Sequence, residues 1–490
     1  PLVAPGSVCP THAEGGATLW FCSLFPPAPV YITPKLHFFS RAAWHSRAGQ
    51  PYWKATAMSG PRVACKTIGC RLNQAETARM LAGFVAAGYE VVPFGGRCDV
   101  ALIHGCAVTH KAERDTLKAA RQARRSDPDA IVVVAGCPAE IHGAACGAGG
   151  VVDVVAGQAD KFCLPALLCR LWPERFGVYG NTTATADLVP RFETTRALIK
   201  VQDGCDFRCA YCVVPAARGP SRSRPLRAIA EEARQLADAG YKEVVLTGAN
   251  LGTYQDGPHR LVDVLAAIEV VPGIERIRLS SIEITTVERM VIDYLAGSAK
   301  LCRHLHIPLQ SGDDRILQAM GRRYTSAQYR ATIEYAVSRV PLLGLGSDVI
   351  VGFPGEDERA LARTERLIEV LPFSNLHVFP YSPRPGTPAA SMPQRVPAAI
   401  VRQRVRRLLD IAARQRRAFA ARFVGREVAV LIEQVNTRGV GRGWTGEYLE
   451  AELAGANMRV NEVRRGRVSG IQERGCVLTL LEPPTPPPQP

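Results

Sequence analysis

The most informative stretch for the fold of this chain carries three cysteines with the spacing C-x3-C-x2-C. It reads Gly204-Cys205-Asp206-Phe207-Arg208-Cys209-Ala210-Tyr211-Cys212. Structural zinc sites usually have four ligands in two C-x2-C-like pairs, whereas a [4Fe–4S] cube has four irons to hold. Three clustered thiolates therefore leave one iron without a protein ligand. In radical enzymes such an open iron binds S-adenosylmethionine (SAM) and passes one electron to it.

The residues beside the cysteines favour this cluster over its alternatives. Tyr211 lies inside the loop, and the stretch 199–201 just before the loop is strand-like. The alternatives are a zinc knuckle completed by a distant Cys or His, and a chance grouping of cysteines. Open thiolates that bind iron need a reducing compartment, so we expect a cytoplasmic protein.

Five further segments resemble the radical-SAM superfamily, and they narrow the resemblance to its methylthiotransferases. They follow the cysteines in the order typical of that family: 214–225, 246–252, 306–312, 348–356 and 381–387. The resemblance extends from about residue 62 to residue 481. It implies a partial (β/α)6 barrel in which Cys205, Cys209 and Cys212 hold a catalytic [4Fe–4S] cluster beside SAM.

The same resemblance suggests how the barrel binds SAM at the carboxyl ends of its strands. It implies that Gly248 and Asn250 border the SAM amino group and that Gly352 shapes the adenine side. The alternative is that the two glycines are ordinary turn residues.

The N-terminal part alternates apolar strands near 63–67, 100–104 and 130–135 with helices, which predicts a parallel α/β layer. Cys70, Cys106 and Cys137 follow these three strands, and parallel strands place their carboxyl ends at one edge. Each cysteine alone is more often a buried structural residue. The family resemblance implies that together they hold a second [4Fe–4S] cluster.

Charge and hydropathy bear on the partners of the chain. A formal net charge of +15 favours a polyanionic partner, most often nucleic acid, although an arginine-rich proteome would produce the same excess. No segment has 18 uninterrupted apolar residues, which argues against a membrane span.

The C-terminal part joins an arginine-rich helix, beginning near Pro397, to a strand-rich tail at 425–481. Such a charge run is usually a solvated helix face. The tail resembles the small TRAM barrel, an RNA-binding module. Five of its residues supply the cationic and stacking groups that such modules use on RNA: Arg438, Arg442, Trp444, Arg464 and Arg465. The alternative is that they are plain surface residues.

These expectations define an α/β protein with a three-layer N-terminal domain, a partial barrel and a small β-barrel. Residues 1–57 are expected to be a disordered or non-native extension, with a transit peptide as the alternative. We expect three domains and a tail after this extension: a methylthiotransferase N-terminal domain at 61–175, a radical-SAM barrel at 190–422, a TRAM-like domain at 423–482 and a proline-rich tail at 483–490.

The resemblance is strongest to the tRNA methylthiotransferases that act on N6-threonylcarbamoyladenosine at position 37. It implies insertion of a methylthio group at C2, two [4Fe–4S] clusters, SAM, the tRNA anticodon stem-loop as partner and an electron donor such as flavodoxin or ferredoxin. Two alternatives stay open. One is the same chemistry on N6-isopentenyladenosine, and the other is a non-catalytic iron–sulfur RNA-binding redox sensor.

Overall fold

The computed structural model describes residues 31–32, 60–147, 149–177, 190, 192, 194–455, 457–472 and 475–480. The expected extension at 1–57 lies outside this part except for Tyr31–Ile32, and the proline-rich tail lies outside it entirely. The chain divides into two compact units, Pro1–Arg191 and Phe192–Pro490. The predicted domain limits within them stay predictions.

The first unit contains a six-stranded sheet with the order β1-β6-β5-β4-β2-β3. Its strands are β1 (Tyr31–Ile32), β2 (Arg62–Thr67), β3 (Glu90–Val92), β4 (Val100–Gly105), β5 (Ile131–Gly136) and β6 (Val154–Ala156). Its helices are α1 (Arg71–Ala86), α2 (His110–Ser126), α3 (Cys137–Gly147), α4 (Leu164–Leu171) and α5 (Pro173–Phe176). Only the β1–β6 pair is antiparallel, so the predicted parallel α/β layer is confirmed.

Both faces of this sheet are apolar, which is why helices cover each of them. On one face, Phe84 of α1 and Leu168 of α4 pack with Leu102 of β4. On the other face, Ala120 of α2 packs with Ile103. The unit therefore has the predicted three layers.

The second unit begins with six parallel strands in two sheets, β11-β10-β7 and β12-β13-β14. Its strands, with a short β8–β9 pair, are β7 (Arg196–Lys200), β8 (Gln202–Asp203), β9 (Arg222–Ser223), β10 (Glu243–Thr247), β11 (Arg276–Leu279), β12 (His304–His306), β13 (Gly344–Val351) and β14 (Asn375–Pro380). Single bridges join the sheets through Ile277–Leu301 and Ser281–His306. The order β7-β10-β11-β12-β13-β14 confirms the predicted partial barrel.

The helices around these strands cover the outer face of the barrel. They are α6 (Val214–Arg218), α7 (Leu226–Asp238), α8 (Leu261–Glu269), α9 (Arg289–Gly297), α10 (Asp314–Ala319), α11 (Ser326–Arg339) and α12 (Glu358–Val370). The outward residues Val244, Ile277 and Leu305 are fully buried. The alternate positions face inward and include buried polar side chains, such as Glu243 and Arg278.

The arginine-rich helix is α13 (Ala398–Ala421). Its charges are not simply a solvated face: Arg404 is buried, and its guanidinium lies 2.8 Å from the Glu356 carboxylate. Arg407 pairs with Glu365 at 2.7 Å. Ion pairs therefore attach this helix to the barrel. Among the described residues, no helix combines the length and the apolar character needed to cross a bilayer.

The chain ends in a closed five-stranded barrel with the order β15-β16-β17-β19-β18, as predicted. Its strands are β15 (Glu427–Val435), β16 (Gly441–Thr445), β17 (Glu450–Ala454), β18 (Val463–Ile471) and β19 (Gly475–Leu480). The turn between β16 and β17 lies against the inner face of the larger barrel. Arg278 donates to the carbonyl oxygen of Thr445 at 3.0 Å, and the rings of His304 and Tyr448 are 4.7 Å apart.

Candidate metal centres

The three clustered cysteines lie in the loop after β8, beyond the carboxyl end of β7. Gly204 begins the loop with φ +70°, and a Cβ there would lie 1.9 Å from the carbonyl oxygen of Pro220, so this position requires glycine. The Cys205 amide donates to Gly219 O at 3.1 Å, and the Ala210 amide donates to Met320 O at 2.8 Å. Backbone contacts therefore hold the loop at both ends.

The charges around this loop suit thiolate ligands. Burial raises the pKa of Cys205 and raises that of Cys212 to about 12, so both thiols stay protonated until a metal displaces the proton. Arg322 Nη1 donates to Cys209 Sγ at 3.2 Å, and the same guanidinium pairs with Glu283. Arg322 therefore places an N–H donor and a positive charge at the Cys209 sulfur. The loop therefore fits a [4Fe–4S] cluster held by three thiolates.

Three aromatic rings cover one side of the loop. Tyr211 packs edge-on against Phe353, with ring centroids 6.5 Å apart, and Phe353 packs against Tyr381 at 5.4 Å. Burial raises the pKa of Tyr211 well above its usual range, so its hydroxyl stays neutral. These rings exclude water from the side of the loop where Tyr211 lies.

Gln202, which is fully buried, joins the cysteine loop to the predicted SAM residues. Its Nε2 donates to Gly204 O at 2.7 Å, and its Oε1 accepts from the Asn250 amide at 2.8 Å. A Cβ on Gly248 would lie 2.9 Å from the same Oε1. Gly248 and Asn250 follow β10, and Gln202 therefore holds them beside the cysteine loop.

Gly352 follows β13 and has φ +79°. A Cβ there would lie 2.4 Å from Val401 of α13, and the Gly352 amide donates to Glu356 Oε1 at 3.0 Å. The close approach of α13 explains the glycine without a ligand. Its predicted position on the adenine side of SAM stays a prediction.

The second group of cysteines lies at the carboxyl edge of the N-terminal sheet. Cys70 caps the start of α1, while Cys106 follows β4 and Cys137 follows β5. A glycine precedes each of them, and these glycines let the three segments approach closely. A Cβ on Gly69 would lie 2.7 Å from Cys106 Cβ, and one on Gly105 would lie 2.9 Å from Pro138 Cγ.

Polar side chains contact the sulfurs of this second group. Asn73, which is fully buried, accepts from Cys70 Sγ at 3.6 Å and donates to Gly105 O at 2.7 Å. Gln158 Nε2 donates to Cys137 Sγ at 3.8 Å. Polar N–H donors near thiolate sulfur are the surroundings typical of iron–sulfur clusters. The residues present therefore fit a second cluster.

A buried ion pair lies behind these contacts. Lys161 Nζ is 2.7 Å from Glu76 Oε2, both side chains are almost fully buried, and Lys161 also donates to Gln158 Oε1. Glu76 Oε2 lies 3.7 Å from His104 Nε2. This chain of contacts links the start of α1, strand β4 and the segment after β6, and it fixes the side chain of Gln158.

The five predicted RNA-binding residues are spread over the small barrel. Arg438 lies in the turn after β15, Arg442 and Trp444 lie in β16, and Arg464 and Arg465 lie in β18. Carboxylates neutralise two of them, because Arg442 pairs with Glu452 at 2.5 Å and Arg464 with Glu462 at 2.9 Å. Within the described part of the chain, Arg438 and Arg465 have no ion pair.

Trp444 lies in the contact between the two barrels. Its ring stacks on Tyr448 at 4.6 Å, and its Nε1 donates to Glu433 Oε2 at 3.0 Å. Its predicted role in RNA binding stays a prediction.

Sequence reasoning did not find Arg322, Glu283, Gln202 or Gln158. Arg322 is 113 residues from Cys209, and no local pattern relates the two. Asn73 and Glu76 lie three and six residues after Cys70 but were not singled out. Their spacing of three residues on a helix was the available signal, since it places both on one face.

Comparison with protein families gives two matches. Residues 199–368 match the Radical SAM superfamily, and residues 62–157 match the uncharacterized protein family UPF0004. Among solved structures, the radical S-adenosylmethionine methyltransferase TsrM from Kitasatospora setae aligns with a TM-score of 0.46 at 14% identity, covering 68% of this chain and 74% of that one.

Curated relatives match almost from end to end. The threonylcarbamoyladenosine tRNA methylthiotransferase MtaB of Aquifex aeolicus is 37% identical over 402 residues, which are 80% of this chain and 97% of the relative. The enzyme with the same name from Bacillus subtilis is 34% identical and covers 83% and 93%. That of Thermotoga maritima is 35% identical and covers 85% and 96%.

Proposed function

We propose, because the chain belongs to the MtaB-like radical-SAM methylthiotransferases, that it inserts a methylthio group at C2 of N6-threonylcarbamoyladenosine at position 37 of tRNA. The chain is an enzyme, a radical-SAM tRNA methylthiotransferase. Family membership implies a [4Fe–4S] cluster and SAM as cofactors. The observation that carries the choice of nucleoside is the match, over nearly their whole length, to relatives named for it.

In this proposal Cys205, Cys209 and Cys212 hold the cluster whose open iron binds SAM. When bound, that cluster supplies the electron that cleaves SAM and so starts removal of hydrogen from an unactivated C–H bond. The surrounding side chains set the charge and the access of water around this loop. Arg322 keeps a positive charge beside Cys209, and the ring of Tyr211 excludes water from the loop.

A second [4Fe–4S] cluster on Cys70, Cys106 and Cys137 belongs to the same proposal. It would supply the sulfur that enters the product. The glycines before the cysteines and the N–H group of Gln158 support this assignment, because they let three thiols approach one another and direct a donor at sulfur.

The remaining partners follow from the same reaction. We assign Gly248 and Asn250 to the SAM amino group and Gly352 to its adenine side. The small barrel is proposed to bind the anticodon stem-loop of the tRNA substrate. Arg438 and Arg465 would make the main contacts, and Arg442, Trp444 and Arg464 would add to them. A one-electron donor such as flavodoxin or ferredoxin reduces the cluster, which places the reaction in the reducing cytoplasm.

Mass spectrometry of tRNA nucleosides from cells that lack this protein tests the proposal. We expect the methylthio form of threonylcarbamoyladenosine to disappear and the form unmodified at C2 to accumulate. The wild-type gene should restore the product, and a Cys209→Ala gene should not. Loss of the methylthio form of isopentenyladenosine instead would show that isopentenyladenosine is the substrate. No change in either nucleoside would contradict the proposed function.

A further inference from the structure

A polar cluster outside both cysteine groups lies inside the larger barrel. His306 of β12, Asp348 of β13 and His377 of β14 are neighbours on its inner face. Asp348 Oδ1 is 3.0 Å from His306 Nε2 and 3.1 Å from His377 Nδ1, and the two imidazole rings are 5.3 Å apart. We call these three residues the lumen cluster. Nothing in the chemistry of the cysteine sites requires it.

Hydrogen bonds fix how His377 is oriented in the lumen cluster. Arg416 donates to Asn375 Oδ1 at 2.7 Å, so the Asn375 amide nitrogen faces His377 Nε2 at 3.0 Å. His377 Nε2 therefore accepts a hydrogen bond, and its Nδ1 carries the proton that faces Asp348. Burial alone would raise the pKa of Asp348, but the two histidines outweigh it and hold that pKa well below its usual range.

The lumen cluster keeps hydrogen-bonding capacity for a ligand. His377 hydrogen-bonds to Oδ1 of Asp348, and His306 Nε2 lies 3.0 Å from the same oxygen without hydrogen-bond geometry. The other oxygen, Oδ2, has no hydrogen-bond partner among the described residues. The Asp348 side chain is 25% exposed and that of His377 is 48% exposed. An accessible, ionised acceptor inside a barrel suits a ligand that brings O–H or N–H donors.

An exposed aromatic ring lies beside the cluster on the same face. Phe379 is two residues beyond His377 on β14, is 43% exposed, and its ring is 6.2 Å from the His377 ring. Two residues farther is Tyr381, whose ring contacts Phe353 next to the cysteine loop. Two residues of strand advance by about 7 Å. Phe379 therefore lies between the lumen cluster and the cysteine loop.

We infer that Phe379 stacks on the target adenine while the lumen cluster binds the polar substituent on its N6. This inference rests on the proposed function and adds its specificity-determining residues. A threonylcarbamoyl group carries a hydroxyl and ureido N–H groups, which can donate to Asp348 Oδ2, and a carboxylate, which must point away from Asp348 because both are anionic. The ring stacked on Phe379 then presents its other end toward the cysteine loop. An isopentenyl group has no donor and would leave Asp348 unsatisfied in a confined space.

Two histidines and one carboxylate also resemble a metal-binding triad. The observed contacts favour the hydrogen-bonding role. A metal would have to displace the His377 Nδ1 proton that faces Asp348, while Asn375 occupies the other nitrogen of that ring. We therefore assign the cluster to the substrate, and metal binding becomes an outcome of the test.

The test compares two anticodon stem-loop RNAs that differ only in a threonylcarbamoyl group on N6 of position 37. Their dissociation constants are measured with the cluster-loaded enzyme and SAM, without reductant. Wild-type enzyme should bind the modified RNA more tightly. His377→Phe removes the N–H that donates to Asp348 Oδ1 and orients the carboxylate, so about tenfold of that preference, the strength of one hydrogen bond to a charged group, should be lost without weaker binding of the unmodified RNA. His259→Phe, an exposed histidine on the same barrel, is the matched control and should keep the preference.

A second variant tests the stacking contact. Phe379→Ala should weaken binding of both RNAs by about tenfold, because base–aromatic stacking does not depend on the N6 group. An unchanged preference in His377→Phe, or unchanged binding in Phe379→Ala, would overturn the inference. One non-iron metal per wild-type chain that His377→Phe lacks would also overturn it.

A parallel assay separates this inference from the proposed function. Wild-type enzyme with reductant should add a methylthio group to the threonylcarbamoyl RNA. If it does while His377→Phe keeps the full preference, only the lumen cluster assignment fails. If wild-type enzyme leaves that RNA unchanged, the proposed function fails and the inference falls with it.

Discussion

The two cysteine groups reach similar arrangements by different routes. Cys205, Cys209 and Cys212 lie within eight residues of one loop, so local backbone contacts are enough to bring them together. Cys70, Cys106 and Cys137 follow three separate strands and meet only because parallel strands end at one edge. The three cysteines of the first group are close together in sequence, whereas those of the second group come to one edge only when the sheet has formed.

The two sites also differ in what surrounds the sulfur. The loop site has a cation, Arg322, beside Cys209, and its three cysteines are half-buried, whereas Cys106 and Cys137 of the strand-end site are buried. The strand-end site has neutral donors and acceptors, Asn73 and Gln158, with Cys70 exposed at its rim. A cation next to the sulfur suits a cluster that must be reduced, while an exposed rim gives other molecules access to the second site.

The largest expected effect separates the sites completely. Cys209→Ala should abolish 5′-deoxyadenosine formation, because two thiolates do not hold the cube, while Cys106→Ala should retain it and stop methylthiolation. Both products are measured by liquid chromatography on anaerobically purified protein. Loss of SAM cleavage in a folded Cys106→Ala variant would contradict two separate sites.

A smaller effect sharpens the difference in surroundings. Asn73→Ala removes the side chain that joins the Cys70 sulfur to the segment before Cys106, so iron retention at the strand-end site should fall by about tenfold. SAM cleavage should persist, since the loop site is untouched. Gln74→Ala changes the next, exposed residue of the same helix and serves as the control. Equal iron contents in the two variants would show that Asn73 does not support the site.

The last effect concerns acid and is measured as stability rather than as activity or iron content. Burial alone would raise the pKa of Glu243, but Arg278 and Arg276 outweigh it and lower the pKa to about 2. A depressed pKa contributes stability that is present above about pH 4.5 and is lost as the pH falls toward 2. We expect the second unit to lose on the order of 3 kcal/mol of unfolding free energy across that range. Urea unfolding at pH 5 and pH 2 measures it, and Glu243→Gln should show a shallower dependence on pH.

The parts of this molecule that sequence could predict are those that repeat a short spacing. The apolar strands ahead of Cys106 and Cys137 were predicted from adjacent residues and confirmed, and the two barrels were predicted from short segments that resemble the family and are confirmed as well. These features depend on neighbours along the chain, and hydrophobic periodicity reports such neighbours directly.

What could not be predicted depends on which strands become neighbours. Arg322 reaches Cys209 from the segment after α10, and His306, Asp348 and His377 come from three strands. The charge run of α13 is of the kind that is usually a solvated face, yet its Arg404 is buried against Glu356, because a charge run alone does not show which arginine meets a carboxylate. Single polar residues of this kind carry no periodic signal.

The turn between β16 and β17 has a consequence for how the chain can be divided. Its carbonyl groups, from Trp444, Thr445 and Gly446, accept hydrogen bonds from Arg276 and Arg278, two arginines of the larger barrel. Removing the small barrel would open the floor of the larger one and leave two guanidinium groups short of acceptors. The small barrel is therefore not a detachable accessory. Truncation before Glu427 should therefore destabilise the larger barrel and not only weaken the binding of RNA.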